Sequence, residues 1–210
     1  MGWKLAIAII PLKNRSVEDA VAGFYGAPKS LQDSDLAVDQ ILYPENGRIN
    51  YVSFSRDHVW LFDWRFVMDA LQNGYKGNED ATFLLLQSTT NLYGFAKYEN
   101  GAELRRRAGS ADDGFYADNG ELLEVERKAV TGLCGDINVD TALKAWSDPE
   151  EIAESYNDEL THDVMGEDVV FSLMETVTGF RFDKVSDECD AFFKKTVFLT
   201  TGRKKLFGLI

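Results

Sequence analysis

The sequence predicts an α+β domain, a mostly antiparallel sheet with helices packed on one face and a helix-rich C-terminal half. Three observations carry this. Short apolar or alternating runs fill the first half, a hairpin with diagnostic turn residues sits in the middle, and helix start and stop signals crowd the second half. No low-complexity segment, repeat or linker interrupts the chain, so residues 1–210 are read as one domain.

Taken in order, Lys4 to Leu12 is continuously apolar at its centre, as in a strand covered on both faces, which places it centrally in the sheet. Ser16 caps a short helix carrying Val17, Ala20, Val21 and Phe24, which Gly26 closes. Residues 27–48 read as a loop with an extended piece at Ala37 to Tyr43. Ile49 to Phe54 and His58 to Phe62 form a hairpin through Ser55-Arg56-Asp57. Asp63 then caps a helix from Trp64 to Gln72, which Asn73-Gly74 stops. Ala81 to Gln87 is a further buried strand.

The central hairpin turns at Glu99-Asn100-Gly101, residues that tolerate the positive φ a tight turn needs. A three-residue loop with Gly101 as a left-handed bulge sets Lys97 opposite Glu103, Phe95 opposite Arg105 and Tyr93 opposite Arg107. That register gathers Leu92, Ala96, Tyr98, Ala102, Leu104 and Ala108 on one face, with Arg106 at the rim. It leaves Tyr93, Phe95, Arg105 and Arg107 as an outward ladder of arginine on aromatic side chains, the expected binding residues. Phe115 to Ala117 and Leu122 to Val125 extend the meander through Asn119-Gly120. Beyond it, Asn138 caps Val139 to Trp146, and Asp148-Pro149-Glu150-Glu151 starts another helix. Val169, Val170, Leu173, Met174 and Val177 make an apolar stripe closed by Gly179, and Ser186 to Lys195 reads as a last helix with Cys189, Phe192 and Phe193.

With 45% hydrophobic and 12% aromatic residues and only four prolines, the chain has the means to build a core. Its net charge of −13 repels phosphate backbones and anionic membranes, which argues against general nucleic-acid or membrane binding and suits a basic protein partner. The same acidity also serves solubility. Cys134 and Cys189 lie far apart outside any C-x-x-C, consistent with buried thiols in a reducing compartment; a single disulfide is the alternative. Leu5 to Ile10 is too short to span a bilayer and lacks a cleavage signal, so the expected location is cytoplasmic.

Catalytic and metal chemistry finds little support. His58 and His162 each adjoin an aspartate in sequence, but neighbouring residues on a strand point to opposite faces, so His58 is read as a surface histidine in a turn and His162, in the approach to a helix, as structural. Asp112-Asp113-Gly114 with Asp118 lacks the alternating ligands of a calcium loop, and Cys134, Cys189 and His162 offer no closely spaced pair to nucleate a zinc site, so no metal or cofactor is assigned. The basic end of the chain, with Lys194, Lys195, Arg203, Lys204 and Lys205 around Val197 to Leu199 and Leu206-Phe207, either docks on the acidic body or pairs with another subunit or partner.

Tyr93-x-Phe95-Ala96-x-Tyr98-x-Asn100-Gly101, Leu104-x-Arg106, Asp113-Gly114 and the later Gly179-Phe180-Arg181 resemble an uncharacterised family of bacterial domains of unknown function. The resemblance covers mainly Tyr93 to Glu121 and the Gly179 region. It implies a bacterial, cytoplasmic α+β domain and no activity or catalytic residue. The reading leans to a non-enzymatic binding protein, immunity-like or regulatory, using the arginine–aromatic face. The alternative is a hydrolase or transferase whose acid and base carboxylates the sequence does not single out.

Overall fold

The computed structural model describes residues 3–25, 31–33, 48–54, 57–110, 112–134, 138–147, 162–184 and 194–199. The strands are β1 (Lys4–Pro11), β2 (Leu31–Asp33), β3 (Arg48–Phe54), β4 (His58–Phe62), β5 (Ala81–Gln87), β6 (Leu92–Glu99), β7 (Ala102–Ser110), β8 (Gly114–Gly120) and β9 (Lys194–Leu199). They form one nine-stranded sheet in the order β2-β9-β3-β4-β1-β5-β6-β7-β8. Every pairing in it is antiparallel. The helices are α1 (Val17–Tyr25), α2 (Trp64–Asn73), α3 (Glu124–Leu133), α4 (Val139–Ser147) and α5 (His162–Thr178). The antiparallel α+β architecture is as expected, and the unbroken apolar run of β1 takes the middle of the sheet.

The helices do not share one face. Ala6, Ala8 and Ile10 of β1 pack with Ala20, Val21 and Phe24 of α1 and with Val67, Ala70 and Leu71 of α2. Leu5, Ile7 and Ile9 point the other way, into a second core with Ala129 and Val130 of α3, Ala142 and Trp146 of α4, and Met165, Val169 and Val170 of α5. Strand periodicity explains the correction: β1, β4 and β5 are apolar at consecutive positions, so each presents a hydrophobic row to both sides and needs two helical layers.

Local chemistry sets most element ends. Asp63 Oδ1 accepts the Phe66 N–H at 3.1 Å to start α2, and Gly74 ends it with a φ of 77°. Asn138 Oδ1 accepts from the Asp140 and Thr141 amides at 2.9 and 3.3 Å to start α4. Gly179, at φ 75°, closes α5, its N–H donating to Glu175 O at 2.7 Å.

Three sequence expectations are corrected. Leu122 to Val125 is not a strand but the approach to α3 and its first turn, where Glu126 reaches back to accept the Leu123 N–H at 2.7 Å. Residues 31–33, expected within a loop, form β2, and Lys194 and Lys195, expected to end a helix, lie in β9, which pairs with β2 and β3. The extended piece at Ala37 to Tyr43, the helix start at Asp148 to Glu151, Cys189 and the basic residues from Arg203 onward lie outside the described residues.

The central hairpin departs from its expected register in a revealing way. Glu99 pairs with Ala102 across a two-residue turn whose Asn100 and Gly101 both have positive φ, 50° and 76°, and Tyr98 pairs with Glu103. The register then shifts, so that Lys97 faces Arg105 and Phe95 faces Arg107, leaving Leu104 as the extra residue of a bulge. Without the bulge a two-residue turn would divide the arginines between faces differently. With it, Phe95 and Arg107 share a side of the sheet, and Ala96, Tyr98 and Ala108 share the other, as the sequence reading expected.

Close packing against α2 makes one residue of β6 a sensitive test of this register. A Cβ on Gly94 would meet both the Ala108 Cβ and the Leu71 Cδ1 at 2.9 Å. Gly94→Val is expected to destabilise by about 1–3 kcal/mol through overpacking, measured by urea denaturation; unchanged stability would mean that Leu71 does not press on β6.

Candidate functional site

The four expected binding residues do come together, but inside the molecule. Relative exposure is 1% for Tyr93, 0% for Phe95, 2% for Arg105 and 0% for Arg107, so the outward ladder expected of them is a buried one covered by helices. The cover includes α3, a helix whose approach and opening residues, Leu122 to Val125, carry a strand-like pattern.

The cluster is built from strands upward. Adjacent odd positions of β7 aim Arg105 and Arg107 to the same side, and Asp118 of β8, directly across from Arg107, points to that side too. One Asp118 oxygen accepts from Arg105 Nη1 at 2.5 Å and the other from Arg107 Nη1 at 3.0 Å. Arg105 also donates from Nε to Glu126 Oε2 at 3.0 Å and from Nη2 to Glu126 Oε1 at 3.1 Å, a two-point grip between sheet and α3. Its remaining reach goes to the carbonyls of Asn119 and Gly120 at 3.1 and 3.2 Å. Glu126, itself fully buried, accepts the Trp146 indole N–H at 3.0 Å, which adds α4 to the assembly.

Arg107 is held mainly by rings. Its guanidinium carbon lies 4.4 Å from the Phe115 centroid and 4.2 Å from that of Trp146, and its Nε donates to the Tyr93 hydroxyl at 3.4 Å. Tyr93 and Trp146 stack at 5.9 Å with 23° between their planes. Cation–π contacts of this desolvated kind are worth about 2 kcal/mol. The expected arginine–aromatic pairing therefore exists, with Phe115 and Trp146 taking the place of Tyr93 and Phe95 as the flanking rings.

Charge balance decides what the cluster can do. Two guanidinium groups face two carboxylates, and all four carboxylate oxygens accept hydrogen bonds within it. Burial works to lower the Arg105 pKa, but hydrogen bonds and charge from Glu126 and Asp118 outweigh it and leave it raised. Burial also pushes the Tyr93 hydroxyl well above its ordinary range, against the pull of Arg107. Glu126 is committed to holding Arg105, Trp146 and the first turn of α3, an arrangement for positioning elements rather than moving protons.

A second cluster fastens the other end of this face. Arg181, buried behind α5, donates from Nη2 to Asp168 at 3.0 Å and to Asp183 at 2.7 Å, and from Nη1 to Ser172 Oγ at 3.0 Å. Phe180 and Phe182 on either side of it pack edge-on against Trp60 at 5.7 and 5.4 Å. Gly179-Phe180-Arg181 is thus a device that ends α5 and returns the chain to the sheet. Nearby, Glu167 Oε2 accepts from Ser88 Oγ at 3.3 Å.

The remaining sequence candidates are placed as follows. His58, expected on the surface in a turn, is instead half-buried as the first residue of β4 with Nδ1 enclosed, and burial lowers its pKa despite Asp57. The His162 side chain lies outside the described residues. Cys134 is a buried free thiol whose pKa burial raises. Asp112 accepts from the Asn91 side chain at 2.9 Å, and the Asp113 N–H donates to Ser110 Oγ at 3.0 Å, so both serve the β7–β8 connection. Among the described residues no group of three or more His, Cys, Asp or Glu is arranged to hold a metal ion, and no helix is long and apolar enough to cross a membrane.

Glu126, Asp118 and Trp146 are the members the sequence did not reveal. Glu126 carries a local signal, a glutamate three residues into a helix, but only recognition of α3 would have exposed it. Compared with protein-family models, curated proteins and solved structures, the chain matches none.

Removing one partner of the buried pair should cost far more than removing both. Glu126→Leu is expected to lose about 3–5 kcal/mol because Arg105 keeps a buried charge, whereas Arg105→Met with Glu126→Leu loses much less than the sum of the two single changes; chemical denaturation of the parent, the two singles and the double checks this. A separate test uses Glu167, whose pKa is raised by burial first and then by Asp183 and Asp168, against the Ser88 hydrogen bond. Its contribution is fully present below the ordinary glutamate pKa and is lost as pH rises through the higher folded-state value. Glu167→Gln should therefore be more stable than the parent chain at pH 7 and lose that advantage near pH 4, read from melting temperatures.

Proposed function

We propose that this chain is a bacterial, cytoplasmic, non-enzymatic binding protein, immunity-like or regulatory, that takes a basic protein partner on its acidic surface. The observation that carries this reading is the internal neutralisation of its buried cations. Arg105, Arg107 and Arg181 are spent on Glu126, Asp118, Asp168 and Asp183 inside or at the edge of the cores. Exposed acids such as Glu18, Asp19, Glu99, Asp113, Glu121 and Asp140 dominate what a partner meets, in a chain with a net charge of −13. Such a field speeds encounter with a basic protein and weakens with salt.

The arginine–aromatic residues then support recognition indirectly, by fixing the helices and strands that carry the acidic groups. The resemblance of the Tyr93 to Glu121 motif to a bacterial family supports the proposed origin and location. The reading predicts that a partner recovered by affinity capture and then purified binds saturably, with an affinity that falls at least tenfold between about 50 and 500 mM salt in titration calorimetry. A salt-independent complex, or turnover of generic ester, phosphate or glycoside substrates abolished by a single carboxylate substitution, would overturn it.

A further inference from the structure

We infer that the β8 edge is the docking site, and that its occupant is an extended, basic peptide segment of the partner added antiparallel as a further strand. This deepens the proposed function and rests on it. β8 ends the sheet order, and among the described strands it pairs only with β7. A strand in that position offers backbone donors and acceptors along its open side, here chiefly from Gly114 to Asp118, since the Asn119 and Gly120 carbonyls accept from Arg105. Its seven residues span about 23 Å, enough for a short linear segment.

The side chains select the occupant. From Asp112 to Glu126 the sequence holds six carboxylates and no Lys or Arg. Glu126 is buried on Arg105 and Asp118 is held by Arg105 and Arg107, so the charge presented along or beside β8 is that of the exposed Asp112, Asp113 and Glu121. The pairing with β7 shifts so that Ala117 faces Ala108 while Phe115 faces Gly109, which leaves Tyr116 as the extra residue of a bulge. Tyr116 is 43% exposed, a large ring set among acids. Tyrosine at such a position anchors an apolar side chain of a partner while lysines or arginines on either side meet the carboxylates.

The same pattern disfavours a second copy of the chain. Two β8 strands paired antiparallel about Ala117 would bring Asp113 against Glu121 at both ends, like charges directly opposed. A basic strand meets no such opposition. The edge is also rigid enough to serve as a template, because Asp118 is anchored from beneath by Arg105 and Arg107.

The probe is a short synthetic peptide alternating Lys and Val, with an otherwise identical peptide N-methylated at alternate residues. The expected result is that the first peptide shifts the amide resonances of Gly114 to Gly120 and slows their hydrogen exchange, while the N-methylated one binds at least fivefold more weakly. Asp113→Lys with Glu121→Lys, both exposed, should weaken the first peptide about tenfold without changing the melting temperature. Equal binding of both peptides, shifts that map to α1 and α2 instead, no binding, or a folded double mutant that keeps the parent's peptide affinity would overturn the edge assignment. A native partner that binds in a salt-sensitive manner while the β8 amides exchange as in the free protein would overturn the edge alone and keep the binding reading. Absence of any basic partner would sink both.

Discussion

The pairing of Arg105 with Glu126 is the constraint on which one whole layer of the molecule depends. A buried ion pair gives little net stability by itself, because both charges lose their hydration, but it permits only one placement of the groups that carry it. Here the pair lies between β7 and α3, and Glu126 simultaneously receives the Trp146 indole and the amide that opens α3. Sheet, helix start and the next helix are therefore tied at one carboxylate. Asp118 extends the tie to β8 and Arg107, so the outermost strand is held by charge as well as by its ladder.

Dispersion and the hydrophobic effect supply the bulk of the stabilisation elsewhere. Among the described residues the two cores lie on opposite sides of the sheet, and the consecutive apolar residues of β1, β4 and β5 serve both. The polar clusters sit toward the periphery of this scheme, the arginine cluster at the β7–β8 side and Arg181 at the end of α5. This division gives the centre cohesion and the margins specificity of arrangement. It also explains why the acidic surface coexists with a well-determined interior.

Most strands and helices, β2 and β9 among the exceptions, are legible because their signals are local. Asp63, Asn138, Gly74 and Gly179 mark ends by chemistry that needs no tertiary partner, and the apolar run of β1 announces its central place. What failed was non-local. The hairpin register was judged by pairing charges across the strands as if they faced water, whereas burial beneath α3 and α4 decides it. The bulge at Leu104 preserves the parity of the strand, which is why the division into faces survived the wrong register. Helix α3 itself was hidden because Leu122, Leu123 and Val125 look like a continuing strand, and the glutamate that starts the helix is recognisable only with its arginine in place. Without α3, the pattern of Tyr93, Phe95, Arg105 and Arg107 is that of an exposed face; with it, all four are buried. The location of helices on both sides is written in the two-sided hydrophobicity of β1, whose two rows pack against α1 and α2 on one side and α3, α4 and α5 on the other.

The position of β1 also bears on how the chain reaches its native state. Its neighbours, β4 and β5, are made from residues more than forty positions later, and β9 closes the far side against β3 from still further along the chain. During translation at about 5–20 residues per second, the run Leu5 to Ile10 emerges and waits for several seconds before either flank exists. A stretch of six apolar residues in that interval is adhesive toward other nascent chains. The late synthesis of its distant partner strands, a matter of chain order and not of the finished fold, sets how long that run stays uncovered.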